Sequence, residues 1–168
     1  MSSRDFGDQS AIDASTMRGR SWPCLRQFCV FMENRVGGLN ELLRHLERHD
    51  LRVVALSIAN SVDCAIVRVM LNDTDRGREL FKLSNFAFAE SDLVGVELPD
   101  DPQPYLRICM ALLQAELNIH YTYPLLYRRA GHGAIALYVD DVDLALRTLT
   151  DKGHRLITET DLLHDDPY

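Results

Sequence analysis

The chain has 168 residues, of which 46% are hydrophobic and 26% are charged, and a formal net charge of −7. This length fits one medium domain or two small ones, and the ordinary composition argues against disorder of the whole chain. Binding to nucleic acid requires clustered basic residues, whereas the one local enrichment here is only Arg18, Arg20 and Arg26. No stretch approaches the roughly 20 apolar residues that cross a bilayer. Nucleic acid and membrane are therefore excluded as expected partners.

The first 23 residues contain Ser, Asp, Arg and Gly without the apolar core of a signal peptide, so we expect a flexible arm over 1–23. The four cysteines form no C-x-x-C pair and have no regular spacing. In a chain without a signal peptide such residues are usually reduced core thiols. The sequence therefore predicts a cytoplasmic protein without disulfides, and these thiols are Cys24, Cys29, Cys64 and Cys109.

The first half of the chain has the pattern of a β-α-β-β-α-β unit. Residues 27–32 are apolar on both faces, which indicates a central strand. Leucines at i, i+3, i+4 and i+7 then predict an amphipathic helix, and 72–74 offers side-chain oxygens to cap a second helix. The predicted elements are strands over 27–32, 52–59, 64–71 and 86–91, a first helix carrying Leu39, Leu42, Leu43 and Leu46 inward, and a second carrying Leu80 and Phe81 inward, with Asn85 as its stop.

The same order of elements then repeats, with 51–53 aligned to 117–119 and Leu80 aligned to Thr148 or Leu149. The capping pair Asp140–Asp141 and the stop Gly153 delimit the second helix of this copy. The predicted elements are strands over 92–98, 118–126, 133–139 and 155–160, a helix over 105–116 with Leu106, Cys109, Met110, Leu113 and Leu117 inward, and a helix with Val142, Ala145, Leu146 and Leu149 inward.

The fold class predicted is α+β, with two tandem ferredoxin-like βαββαβ units whose antiparallel sheets carry helices on one face. The expected domains are 24–91 and 92–168. Two helices cover only one face of a four-stranded sheet, yet Cys29 and Phe31 make the other face apolar. We therefore expect an intramolecular pseudo-dimer and a homodimer of chains.

The turn Glu33-Asn34-Arg35-Val36-Gly37-Gly38-Leu39 joins the first strand to the first helix. A helix N-terminus has unpaired backbone N–H groups and a partial positive charge, so it can hold a carboxylate. Asn34 offers both a donor and an acceptor, and glycine lets a ligand approach closely. The alternative is an ordinary turn in which Asn34 bonds the backbone locally.

Residues 28–71 resemble an ACT domain, whose first strand ends in a Glu-Asn-x-x-Gly-x-Leu type turn, and 27–163 resemble the small bacterial tandem-ACT proteins. Glu33, Asn34, Gly37 and Leu39 occupy the motif positions. ACT domains generally bind amino acids at interfaces between paired domains. The resemblance implies an allosteric, amino-acid-binding regulatory protein whose ligand is contacted by Asn34, Arg35, Val36, Gly37, Gly38, Leu39, Ile58 and Asn60.

The second copy departs from this motif, because its turn has no glycine and contains two acidic residues that repel a carboxylate. One competent site per chain is therefore expected, with the second unit as a packing partner. His120, Tyr121 and Tyr123 on its second strand are candidates for the shared interface, although strand aromatics more often serve packing. The departing residues are Asp100, Asp101, Pro102, Gln103 and Pro104.

No catalytic residue, metal ligand or cofactor is predicted. The candidates for acid–base or metal chemistry lie on different predicted elements and lack H-E-x-x-H or C-x-x-C spacing. The first unit also resembles that of the acetohydroxyacid synthase small subunit, so a regulatory subunit of an amino-acid biosynthetic enzyme is the alternative, and a stand-alone enzyme is a third class. The candidates considered are His120, His132, His154 and Asp140.

Overall fold

The computed structural model describes residues 23–164, so the arm expected over 1–23 lies almost wholly outside the described residues. Within residues 23–164 there are six strands and five helices, which keep the predicted order except at the strands expected over 86–91, 92–98 and 155–160. They are β1 (Leu25–Glu33), α1 (Gly38–Arg48), β2 (Val53–Asn60), β3 (Cys64–Leu71), α2 (Thr74–Leu83), β4 (Ala87–Glu97), α3 (Pro104–Gln114), β5 (Ile119–Arg129), β6 (His132–Val139), α4 (Val142–Asp151) and α5 (Glu159–Leu163).

The strands form one antiparallel sheet in the order β2-β3-β1-β4-β6-β5, which confirms β1 as a central strand. Phe28 and Val30 of β1 are fully buried in a core that includes Leu42 of α1 and Phe81 of α2. A second core joins the end of β4 to α3 and α4. The alternation of side chains along β4 places both pairs of helices on the same side of the sheet. The α+β fold with helices on one face is confirmed.

The prediction of separate strands over 86–91 and 92–98 is wrong, because β4 runs without a break through this point. Leu93 pairs with Leu25 of β1, and the next residue, Val94, pairs with Leu137 of β6. The two units therefore share one strand and form one continuous sheet. The boundary between 91 and 92 stays a prediction.

The internal repeat is visible in matching hydrogen bonds. Asp50 ends α1 with a left-handed backbone (φ 54°), and the Leu51 N–H bonds the Leu46 carbonyl at 3.0 Å. Glu116 ends α3 in the same way (φ 57°), and the Leu117 N–H bonds the Leu112 carbonyl at 3.1 Å. In both cases the N–H of the residue after the left-handed position bonds a carbonyl in the last turns of the helix, as a left-handed helix end permits. The alignment of 51–53 with 117–119 is confirmed.

The inward face predicted for α3 is wrong. Ile108 and Leu112 are fully buried, because they occupy the places that Leu42 and Leu46 take in the first copy. The helix is apolar on two sides, so periodicity alone cannot select the buried one. The predicted inward residues that instead lie exposed are Leu106 (56%), Met110 (46%) and Leu113 (67%).

The last strand predicted, over 155–160, is reduced to a single bridge between Leu156 and Val96. The chain then turns into α5, because Thr158 caps that helix in a reciprocal arrangement with Asp161. Of the two predicted helix stops, Gly153 is left-handed (φ 82°), as is common after a helix, whereas Asn85 is not. There α2 ends with an extended residue, Ser84, instead.

All four cysteines are free thiols, but only one of them belongs to the core. Cys24 is fully buried, Cys29 and Cys109 are partly buried, and Cys64 is exposed at the start of β3. The prediction of core thiols is therefore wrong for Cys64, which lies beside the β2–β3 turn.

The sheet curls until its two edge strands meet. Arg52, just before β2, donates hydrogen bonds to the carbonyls of Leu126 (3.2 Å) and Leu162 (3.5 Å). A third core fills the face away from α1–α4 and takes side chains from all six strands. We call this surface the back face. Its buried members are Leu25, Val54, Ala55, Met70, Leu93, Tyr123, Leu125, Tyr127, Ala134, Ala136, Ile157 and Leu162.

The shared strand needs a glycine at position 95. A Cβ there would overlap the buried Leu25 side chain and lie 3.1 Å from Ile157 Cβ. We expect Gly95→Ala to lower the free energy of unfolding by about 1–3 kcal/mol, measured by urea denaturation. Gly133→Ala is the matched control in the neighbouring strand, because its Cβ would meet only Leu98 at an ordinary 3.5 Å. Equal stability of the two variants would contradict this account of the packing.

Candidate ligand site at the first strand-to-helix turn

The turn between β1 and α1 is fastened to the β2–β3 turn beside it. The Asn34 backbone N–H donates to the Asp63 carbonyl at 3.2 Å, and its side-chain Nδ2 donates to the Ser61 carbonyl at 2.9 Å. The local bonding considered as the alternative is therefore present. The Asn34 Oδ1 and the second amide hydrogen have no partner within the described chain. This side chain can thus hold the turn and still meet an ammonium group.

The N-terminus of α1 has no side-chain cap. Its N-cap residue, Gly37, is left-handed (φ 87°, ψ −11°), a conformation in which glycine is favoured. Within residues 23–164, the backbone N–H groups of Val36, Gly37, Leu39 and Asn40 have no hydrogen-bond partner. These donors and the helix dipole together favour a bound anion.

A nearby ion pair keeps this helix end from being acidic. Arg35 NH2 lies 2.6 Å from Glu41 Oε2, and both side chains are more than half exposed. The hydrogen bond and the charge of Glu41 raise the pKa of Arg35, which stays cationic. Arg35 therefore neutralises the negative charge of Glu41 in the first turn of α1. The free amides remain the main electrostatic feature of this helix end.

The remaining predicted contact residues lie on β2, the strand that leads into the β2–β3 turn. Ile58 is 43% exposed and Asn60 is also exposed, and both belong to edge strand β2. Strand β3 lies between them and β1, a separation of about 10 Å at ordinary strand spacing. Asn60 precedes Ser61, whose carbonyl accepts the Asn34 side-chain amide at 2.9 Å, whereas Ile58 lies further back along β2. Contact of Ile58 and Asn60 with the ligand stays a prediction.

Within one chain the turn faces solvent. Val36 is fully exposed, and the hydrogen bonds that fasten the turn go to the β2–β3 turn of its own unit. The interface between paired domains that the resemblance implies is therefore not formed at this place within one chain, because the two halves join through β4 and the back face. Nothing lies within 4 Å of a Cβ placed on Gly37, so the approach to the amides is open.

A family model described as an ACT domain pair matches residues 24–164. The chain belongs to the ACT domain pair family. Its structure is similar to protein BT0572 from Bacteroides thetaiotaomicron, with 25% identity, a TM-score of 0.75 and coverage of 83% of this chain and 96% of that one.

The fold is also similar to the ligand-free regulatory subunit of aspartate kinase from Thermus thermophilus. That likeness has a TM-score of 0.53 at 10% identity and covers 79% of this chain and 95% of the other. No curated protein matches the sequence at a significant level. The resemblance to tandem ACT proteins is confirmed, and the likeness to the aspartate kinase subunit is a likeness of fold.

The second ACT unit has a carboxylate of its own at the corresponding helix end. Asp101 Oδ1 accepts the Gln103 backbone N–H at 2.8 Å, and its Oδ2 lies 2.7 Å from Arg107 Nε. These two hydrogen bonds, the backbone one foremost, lower the pKa of Asp101. Pro104 also removes a backbone donor at the start of α3. This arrangement supports the prediction that the second turn is not an equivalent site.

The histidines examined as catalytic or metal candidates do not converge. His132 is the exposed first residue of β6, and His154 lies beside the groove between α3 and α4. Within residues 23–164 no group of three or more His, Cys, Asp or Glu side chains is placed to hold a metal ion. No helix among the described residues is both long and apolar enough to cross a membrane.

Sequence reasoning missed a histidine pair between α1 and α2. His45 Nε2 lies 2.6 Å from Ser84 Oγ, and the rings of His45 and His49 are 4.9 Å apart. Burial, together with the neighbouring His49 and Arg48, lowers the pKa of His45. Their i, i+4 spacing was the available signal, but Ser84 could be placed only by the packing of the two helices.

Tyr121 and Tyr123, the candidates for the shared interface, meet a polar residue of the first unit on the back face, Gln27, which sequence reasoning missed. Gln27 is fully buried, its Oε1 accepts the Tyr123 hydroxyl at 2.6 Å, and its Nε2 donates to Ser91 Oγ at 3.0 Å and to the Tyr121 hydroxyl. Burial raises the pKa of both tyrosines, which stay neutral. A glutamine in an apolar strand was the available signal, because a buried amide needs partners. Gln27 joins the first unit to the second.

Proposed function

We propose that this chain is a non-catalytic regulatory protein that binds a free amino acid at the N-terminus of α1. The observation that carries the proposal is the set of unpaired N–H groups at Val36, Gly37, Leu39 and Asn40 on an uncapped helix end. Membership of the ACT domain pair family supports a regulatory role. The four free thiols are compatible with a cytoplasmic location.

Both charged groups of an amino acid find complementary partners at this turn. The α-carboxylate accepts charge-assisted hydrogen bonds from the amides at the positive end of the helix dipole. The α-ammonium donates to Asn34 Oδ1, which the turn leaves unpaired. The ligand's side chain then points away from the turn, where this chain alone provides little surface.

A homodimer supplies the missing surface. Phe31 is 41% exposed on the back face, and two exposed alanines, Ala87 beside it on β4 and Ala59 two strands away on β2, extend the apolar surface around it. A second copy packed there by two-fold symmetry buries this surface. Because Phe31 precedes Asn34 by only three residues, the second copy also comes close to the ligand turn.

Ligand binding regulates a partner protein only under two conditions. The ligand must favour one arrangement of the two copies, and the partner must bind that arrangement with a different affinity from the other. The exposed apolar side of α3, formed by Leu106, Met110 and Leu113, favours a protein partner. The alternative, a regulatory subunit of a biosynthetic enzyme similar to the acetohydroxyacid synthase small subunit, uses that surface for docking. It stays a prediction.

The ligand site is tested by placing a negative charge beside the amides. Asn40 is exposed in the first turn of α1, so Asn40→Asp improves the interaction with the helix dipole while it repels a bound carboxylate. We expect calorimetry against the free amino acids to give one ligand, whose affinity falls about fivefold in the variant, a loss of about 1 kcal/mol. The thermal midpoint of the variant should not fall.

Asn85→Asp makes the same change of charge on an exposed turn after α2 and is the matched control. It should leave the affinity unchanged. If no amino acid binds the unmodified chain, or if both variants bind equally well, the helix end is not the carboxylate site.

The homodimer is tested by sedimentation velocity. We expect the unmodified chain to sediment as a dimer and Phe31→Asp to sediment as a folded monomer, because a carboxylate on the back face cannot be buried without a partner. Leu83→Asp is the control, since Leu83 is 87% exposed on α2, away from that face. A dimer that survives Phe31→Asp would place the interface elsewhere.

A further inference from the structure

The back faces of the two units meet at Arg68, which extends from β3 across to β5. Its guanidinium carbon lies 4.5 Å from the centre of the Tyr121 ring. Arg68 pairs with Cys29 of β1, and Tyr121 pairs with Tyr138 of β6, so residues from four strands surround this point. We call this place the inter-unit cleft, formed by Arg68, Cys29, Tyr121 and Tyr138.

Arg68 differs from every other arginine within residues 23–164. It is partly buried, but within that range its guanidinium donates no hydrogen bond to a carboxylate or a carbonyl oxygen. The guanidinium lies over the Tyr121 ring instead. A partly buried cation is costly when its N–H groups have no acceptor. The other described arginines without such a partner all lie exposed, and they are Arg44, Arg48, Arg128 and Arg147.

The wall of the cleft is aromatic and fixed in place. The rings of Tyr121 and Tyr138 stack with centres 5.0 Å apart and planes 20° apart, and His120 lies 5.4 Å from Tyr138. Buried Gln27 holds the Tyr121 hydroxyl, whereas the Tyr138 hydroxyl has no partner in the described part of the chain. A guanidinium stacked on a ring keeps the N–H groups along its edge free for a planar anion.

We propose that the inter-unit cleft is a second binding site, and that it takes a small organic carboxylic acid in its ionised form. The carboxylate pairs with the edge of the Arg68 guanidinium and accepts a hydrogen bond from the Tyr138 hydroxyl, and the body of the ligand lies against the partly exposed rings of Tyr121 and Tyr138. Cys29, opposite Arg68, lies four residues before the end of β1, so the cleft is about 13 Å along the strand from the turn that begins α1. The two sites are therefore distinct.

Calorimetry with sodium benzoate tests the proposal, with neutral benzamide of the same shape and inorganic phosphate as comparison probes. We expect benzoate to bind and benzamide and phosphate not to bind. Arg68→Gln should weaken benzoate at least tenfold, because it removes a charge-assisted pair, and Tyr138→Phe should weaken it a few fold. Arg147→Gln, the same change at an exposed arginine, should leave the affinity unchanged.

Circular dichroism and the thermal midpoint establish that the variants are folded. If Arg68→Gln is unstable, the affinity of Tyr138→Phe for benzoate tests the site independently. Equal binding of benzoate and benzamide, binding of phosphate alone, or an affinity that both the Arg68 and Tyr138 variants leave unchanged would each overturn the proposal. Loss of the dimer in Arg68→Gln, with no benzoate bound by the unmodified chain, would overturn it as well and assign Arg68 to a protein contact.

Discussion

One strand, β4, holds the two ACT units in a fixed relation. Its first part pairs with β1, its last part pairs with β6, and Gly95 lets the chain pass close to Leu25 and Ile157. Because successive side chains of a strand alternate between faces, a continuous β4 forces both pairs of helices onto one side of the sheet. The opposite side then becomes one curled surface, on which β2 and β5 meet.

This arrangement determines where the two proposed sites lie. The turn that begins α1 lies at the far end of β1, away from the second unit, so it stays open in a single chain. In the proposed function a second copy encloses the ligand there. The inter-unit cleft, in contrast, is formed within one chain, because the curl brings Arg68 over Tyr121. One constraint in the sheet thus keeps the proposed amino-acid site at a helix end apart from the proposed second site between the units.

Much of this fold could be predicted from sequence because it depends on local periodicity. Leu42 and Leu46 are buried as the helical spacing requires, and Asp73 and Asp141 cap α2 and α4. The predictions failed where contacts between distant parts of the chain determine which side chains are buried. Helix α3 is apolar on two sides, and only its alignment with α1 identifies Ile108 as buried. A sequence motif identifies the turn of the candidate site. The cleft instead depends on the curling of the sheet, which brings together residues far apart in the chain and therefore leaves no local pattern in the sequence.

The central claim is that the free amides at the start of α1 hold the carboxylate of an amino acid. Backbone ¹H–¹⁵N spectra recorded during titration with the amino acid selected by calorimetry test it directly. The account predicts that the largest shifts occur at Val36, Gly37, Leu39 and Asn40, whose N–H groups gain an acceptor. Shifts concentrated around Gln103 at the start of α3, with none in 36–40, would contradict it.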